Sequence, residues 1–249
     1  MHKTDREMIY HFDSLTSTND EIARPRYAEG DVVCAEQQSA GRGQRGHTWE
    51  SERGMNATLS MLFKPSFLPP TNQFLLSEIV ALALTDTLSD YGIEAKIKWT
   101  NDIYVGLKKI AGILIEHKLS GTAIDRTIAG VGLNINQLSF SEALPNPTSM
   151  ALIKDCSFDR HEVIEKIATN AMRRYEQLRR GEAEQIQADY HSLLLHLNQE
   201  RWYMLADGSR MRGTIMGVEP TGALIVKDEA GNRRSFLFKE IEFLLKNEK

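Results

Sequence analysis

Two apolar runs constrain this chain most. Lys108-Lys109-Ile110-Ala111-Gly112-Ile113-Leu114-Ile115-Glu116 and Thr127-Ile128-Ala129-Gly130-Val131-Gly132-Leu133-Asn134-Ile135-Asn136 leave little room for polar faces. Ile113 to Ile115 reads as a strand buried on both faces, so the sheet that holds it is covered on both sides. Gly112, just before, suggests a close backbone approach. In the second run Gly130 and Gly132 stand two residues apart, which puts them on one face of a strand. That face is bare, as either a packing seam or a floor for a flat ligand.

The rest of the chain supplies the layers around this sheet. Met8 to Phe12, Asp31 to Gln38, Ala57 to Phe63 and Ala95 to Trp99 read as strands. Thr18-x-x-Glu21 is a capping box that starts a helix, and Pro25 keeps that helix short. Pro65, Pro69 and Pro70 mark a connection, after which Thr71 or Asn72 caps a long helix. Leu75, Leu76, Ile79, Val80, Ala83, Leu84 and Leu88 give it one apolar face, and Gly92 ends it. Asp159 opens an amphipathic helix that Gly181 closes, and a further helix covers Glu182 to Leu195. From Arg201 the pattern becomes short strands between turn signals such as Asp207-Gly208 and Thr221-Gly222. That is a small all-β unit of the SH3-like barrel kind. The boundary falls near residue 199, giving domains 1–199 and 200–249.

Composition narrows the class. The chain has 249 residues, of which 41% are hydrophobic and 26% charged, as in an ordinary soluble domain. A net charge of −4 gives no electrostatic footprint for nucleic acid. Cys34 and Cys156 lie far apart and outside any C-x-x-C, so both are expected as core thiols in a reducing cytoplasm. Met1 to Glu7 has no apolar run of signal-peptide type, and no 18-residue apolar stretch predicts a membrane span.

The chemistry concentrates in Gly41-Arg42-Gly43-Gln44-Arg45-Gly46-His47-Thr48-Trp49. Its glycines let the backbone approach a ligand, and its arginines suit phosphate or carboxylate. Gly41, Gly43 and Gly46 match the dinucleotide fingerprint, but no helix follows. A P-loop fails too, because His47 stands where lysine is required. Alone, such a loop is more commonly a solvated surface turn. Lys109 sits at the mouth of a buried strand, where it either meets an anion or is an ordinary hairpin charge. His161-Glu162-x-x-Glu165 lacks the second histidine of a zinc helix, the histidines form no ligand cluster, and there is no G-x-S-x-G. From residues alone the chain is a soluble α/β protein with an anion-binding loop.

Four segments in order carry more. Gln38 to Trp49 (QSAGRGQRGHTW), Lys98 to Asp102 (KWTND), Lys109 to Glu116 (KIAGILIE) and Gly130 to Asn136 (GVGLNIN) resemble biotin protein ligases, as does the early Ser17-Thr18-Asn19. The resemblance spans nearly the whole chain. It implies an α+β fold, with a mixed-sheet catalytic domain of the class II synthetase type and a C-terminal SH3-like β domain. It implies adenylation of biotin by ATP with Mg²⁺, then transfer to a lysine of a biotin carboxyl carrier domain. By the same resemblance Ser17, Thr18, Gln38, Gly41, Arg42, Lys109 and Gly112 contact biotin. Arg42, Arg45, Trp49, Asn101, Lys109 and Asn134 contact ATP or the adenylate. Lys109, Arg42 and Asp102 are the expected catalytic residues, with Asp102 orienting the acceptor lysine or taking its proton, and no protein-bound metal is expected.

Three positions depart from the family pattern: Gln44 where arginine is frequent, Thr100 where proline is usual, and His47 where a basic residue is common. Some members carry an N-terminal winged helix-turn-helix, whereas the few residues before the first strand here leave no room for one. The expectation is a catalysis-only ligase with no DNA or membrane partner, and a homodimer is possible. A lipoate–protein ligase and a non-catalytic biotin-binding protein remain the rivals.

Overall fold

The computed structural model describes residues 9–44, 48–121 and 123–245. Arg45, Gly46 and His47 of the glycine loop lie outside the described residues.

Seven strands make the main sheet: β1 (Ile9–Leu15), β2 (Val32–Gln38), β3 (Ala57–Phe63), β4 (Lys96–Lys98), β5 (Asp102–Val105), β6 (Lys108–Ser120) and β7 (Ala123–Leu133). Their spatial order is β1-β2-β3-β7-β6-β5-β4. Among the described residues only the β1–β2 pair is parallel, so the sheet is mixed. A second, antiparallel sheet runs β11-β10-β9-β8-β12, from β8 (Glu200–Leu205) through β9 (Arg210–Val218), β10 (Leu224–Asp228) and β11 (Arg233–Phe236) to β12 (Ile241–Phe243). The architecture is α+β. Among the described residues no helix is long and apolar enough to cross a membrane.

The two faces of the main sheet differ because side chains alternate along each strand. One face carries Cys34, Leu59, Met61, Ile113, Val131 and Leu133 into the main core. Helices α2 (Phe74–Asp90), α4 (Arg160–Arg179) and α5 (Ala183–Ser192) supply the rest of that core. The other face is covered over only part of its area. Helix α1 (Thr18–Ile22) plants Ile22 on Val33, Leu62 and Ile128. The area beyond it holds the bare glycines.

Several expectations change in detail. Ser17, not Thr18, caps α1, and no side-chain cap bond forms. Thr18 bonds Gln38 instead, and Glu21 pairs with Arg24 and Arg26, so the reciprocal capping box is absent. The helix end gives the Thr18 hydroxyl to the sheet rather than to its own amides. Helix α2 begins at Phe74 after a 3₁₀ turn at Pro70–Asn72, and it is buried nearly all round, not on one face. It lies between the sheet and the outer helices. Leu114 and Ile115 are only partly covered, because Leu114 belongs to the open face. Both cysteines are free thiols, Cys34 buried and Cys156 exposed. The exposure of Cys156 corrects its reading as a core thiol, because its segment between α3 (Met150–Lys154) and α4 runs at the surface.

Candidate functional site

Cross-strand register builds the site as rows. Lys98, Asp102, Gly112, Gly132 and Thr58 are successive neighbours across β4, β5, β6, β7 and β3. The next row is Leu114, Gly130, Ser60 and Val33, and the third is Glu116, Ile128 and Leu62. Three glycines therefore leave a trough across the middle of the open face. A Cβ on Gly132 would stand 2.2 Å from the Trp49 indole, and one on Gly112 would stand 3.1 Å from it. The indole rests against this floor.

A bulge aims the lysine. Simple alternation would send Lys109 to the face opposite Gly112, three residues away. The register between β5 and β6 shifts between Ile103 and Tyr104, so that Tyr104 faces Lys109 while Ile103 faces Ala111. The extra residue, Ile110, turns Lys109 back onto the open face. There its Nζ lies 2.7 Å from Asp102 Oδ1 and 5.7 Å from the Trp49 ring centroid. The lysine backbone is fixed from the other side: its N–H donates to the Asn146 carbonyl, and its carbonyl accepts from Thr148 N–H.

Lys98 ends the first row. Its ammonium sits over the rings of Tyr104 (5.7 Å) and of Phe243 in the second sheet (5.1 Å). Burial lowers its pKa, with Asp102 opposing and Lys109 adding to the shift. The carboxylate of Asp102 thus stands between two lysines.

The described ends of the glycine segment, residues 41–44 and 48–49, pair with each other beside the trough. Trp49 N–H donates to the Gly41 carbonyl at 3.0 Å, and Arg42 bridges Thr48. Gly41 has to be glycine, since a Cβ there would come within 2.6 Å of the Trp49 carbonyl. Among the described residues, Trp49 Nε1 and Gln44 Oε1 are buried without a hydrogen-bond partner. Orphaned polar atoms of this kind cost about 1–3 kcal/mol each.

At the far end of the trough, Gln38 Oε1 accepts from Thr18 N–H (2.7 Å) and from Thr18 Oγ1 (3.1 Å). Ser17 is buried beside it. Thus Ser17, Thr18, Gln38, Gly41, Gly112, Lys109, Asp102 and Trp49 come together round one trough. Three expected residues take other positions. The Arg42 guanidinium turns away from Lys109 to Asp20 (2.8 Å) and Glu116 (3.1 Å), four residues along β6 from Gly112. Asn101 donates its amide to the Ile113 carbonyl and so braces the turn before β5. Asn134 lies just past β7 and donates its amide to the Thr148 carbonyl, which steadies the segment that grips Lys109. Arg45 is outside the described residues.

Asn19, Ser60, Glu116 and the 146–148 segment were not legible as site residues. Ser60 had a signal: Thr58 and Ser60 are the polar residues at alternate positions of an otherwise apolar strand. The others depend on tertiary placement.

The profile of the biotin/lipoate A/B protein ligase family matches residues 10–134. The chain belongs to that family. The matched span holds the loop, the trough and both lysines. Among members of the family, the chain is 29% identical over 239 residues to the bifunctional ligase/repressor BirA of Bacillus subtilis, covering 93% of this chain and 72% of that protein. It is 28% identical over 200 residues to the biotin–[acetyl-CoA-carboxylase] ligase of Mycobacterium tuberculosis, covering 79% and 73%. The biotin protein ligase of Aquifex aeolicus in complex with biotin and ATP has the same fold, with a TM-score of 0.81 at 24% identity over 95% of this chain and 98% of that one.

Proposed function

We propose that this family member is a biotin–protein ligase, which joins biotin to ATP as biotinyl-5′-AMP and passes the biotinyl group to a lysine of a biotin carboxyl carrier domain. One observation carries the reading. A lysine held by one carboxylate stands at the end of an apolar glycine trough, under a loop that carries two unmet polar atoms. The Mycobacterium tuberculosis relative is named a biotin–[acetyl-CoA-carboxylase] ligase, which supports biotin over lipoate. In this reading residues 1–199 bind both substrates, and residues 200–249 lie beside them.

In the first step an oxygen of the biotin carboxylate attacks the α-phosphorus of ATP, and the bond to pyrophosphate breaks. Two anions have to meet, and Lys109 donates to both, offsetting their repulsion and the charge that develops. Asp102 keeps Lys109 extended toward the trough. Ser17, Thr18 and Gln38 meet the polar ring of biotin, and Trp49 lies over its apolar part. The closed loop keeps water from the mixed anhydride. In the second step the acceptor amine attacks the anhydride carbonyl and AMP leaves, with Asp102 placed to receive the ammonium proton. Asn101 and Asn134 act as braces for the site.

Mg²⁺ enters as the partner of the ATP phosphates. Among the described residues no group of three or more His, Cys, Asp or Glu side chains could hold a metal ion, and Asp102 is already paired with Lys109. A free cytoplasmic enzyme in a reducing compartment fits the two thiols.

The test is pyrophosphate release with MgATP, supplying biotin and lipoate separately. Release with biotin alone is the expected result. Release with lipoate alone would replace the substrate, and release with neither would make the chain a binding protein.

A further inference from the structure

Strand β4 is the outermost strand of the main sheet, yet both neighbours of its last residue are tied down. Ile97 N–H donates to the Leu193 carbonyl at 2.8 Å, and Leu195 N–H donates to the Ile97 carbonyl at 2.8 Å. On the other side, Trp99 Nε1 donates to the Gly222 carbonyl at 2.9 Å. Lys98 between them is half-buried. Its ammonium lies against the faces of Tyr104 and Phe243, and such faces favour a cation. Lys109, not Lys98, carries the chemistry of the first step.

Charge counting gives Lys98 a task. Lys109 has to offset two anions, the carboxylate of the acid and the α-phosphate. Its own charge is already cancelled by Asp102, whose Oδ1 lies 2.7 Å away. A carboxylate so placed also repels both incoming anions. Lys98 stands directly across the strand pair from Asp102. In such a pair the Cβ atoms are about 5 Å apart and opposite charges attract. Glu242 on β12 also faces Lys98, but it is exposed to solvent that screens it. Lys98, Lys109 and Asp102 together leave one net positive charge at this end of the trough. Without Lys98 they leave none.

We propose that Lys98 is a positioning residue that acts as the counter-charge of Asp102 and so frees Lys109 to act on the two anions. It touches neither substrate. Held by ring faces on a braced strand, it stays with Asp102 when Lys109 turns to the anions. This inference rests on the adenylation step of the reading above and adds to it the group that balances the carboxylate.

The test separates the two half-reactions: pyrophosphate release with biotin and MgATP, and transfer from preformed biotinyl-5′-AMP to a carrier domain. Lys98→Met removes the charge and keeps the stem. Pyrophosphate release should fall by about tenfold or more, mostly in kcat, because the loss falls on charge that develops in the transition state. Lys98→Arg keeps a cation over the same rings and should stay within about threefold of wild type.

The decisive variant adds Asp102→Asn to Lys98→Met. It removes the negative charge, while the amide oxygen of the new side chain still accepts from Lys109. One net positive charge returns, and pyrophosphate release should recover to within about threefold of wild type. Transfer from biotinyl-5′-AMP should stay slow, because the carboxylate that meets the acceptor ammonium is gone. A merely structural role for Lys98 gives the opposite result, two losses that add.

Thermal melts check that each variant is folded, and Lys98→Gln replaces Lys98→Met if the latter melts below the assay temperature. Wild-type pyrophosphate release by the folded, uncharged variant overturns this proposal alone. So does a double variant no faster than the single one, or a loss in Lys98→Arg as large as in Lys98→Met. A wild type that releases no pyrophosphate with biotin or with lipoate overturns the parent reading, and this one with it.

Discussion

At the scale of single residues, the site depends on one cation and three missing side chains. Lys109 is a third exposed and its ion pair with Asp102 is open to water, so it contributes little to stability. Lys109→Ala should lower pyrophosphate release by about a hundredfold or more while the melting temperature stays within a few degrees, as scanning fluorimetry would record. Gly132→Ala acts differently: its Cβ would fall 2.2 Å from the Trp49 indole, so the loop has to lift. A displacement of about 1 Å at a reacting centre costs up to roughly a hundredfold, and that loss should appear in adenylate formation without unfolding. Legibility divides here. Gly130 and Gly132 announce their shared face because strand parity is strict. Lys109 does not announce its own, since parity alone sends it to the wrong side and only the bulge at Ile110 corrects it. Arg42 was legible as a loop cation, but its turn toward Asp20 and Glu116 was not, because those carboxylates come from distant elements.

At the scale of elements, α2 is the least ordinary. A helix buried almost all round carries Glu78 at 1% exposure, with Oε2 unpartnered, and burial pushes its carboxyl up to about 8. In the unfolded chain that group ionises near 4.3. Between those values the native state holds a proton that the unfolded state has released, so the Glu78 contribution to stability falls as pH rises from about 4.3 to about 8. Glu78→Gln should therefore melt higher than wild type at pH 8.5 and nearly equal to it at pH 5. Each kcal/mol is worth roughly 2–4 °C in a chain of this size. The sequence located α2 by periodicity but assigned it one apolar face. Its polar residues, such as Glu78 and Thr87, look solvent-facing until α4 and α5 are laid over them. Strand β3 was read to the residue, because Ala57–Phe63 is bounded by clear loops.

At the scale of the whole molecule, specific bonds tie the second-sheet unit to the segment after β4 and to α5. Trp99 Nε1 donates to the Gly222 carbonyl at 2.9 Å, and His191 Nε2 accepts from Val218 N–H at 3.0 Å. Burial lowers the pKa of His191, as it does for His11, His117 and His196. As pH falls through about 6.5 the unfolded chain takes up protons that these rings resist, so the histidine contribution to stability declines from pH 7.5 to pH 5.5, opposite in sign to that of Glu78. His191→Gln should flatten part of that decline in a pH series of thermal melts. The chain also carries its own optical reporter. Of its three tryptophans, Trp99 is bolted to the second sheet, Trp202 stands 46% exposed on β8, and Trp49 alone rides on the loop against the glycine floor. With Trp99 and Trp202 replaced by phenylalanine, the emission of the remaining indole would report a ligand entering the trough in real time, without a label.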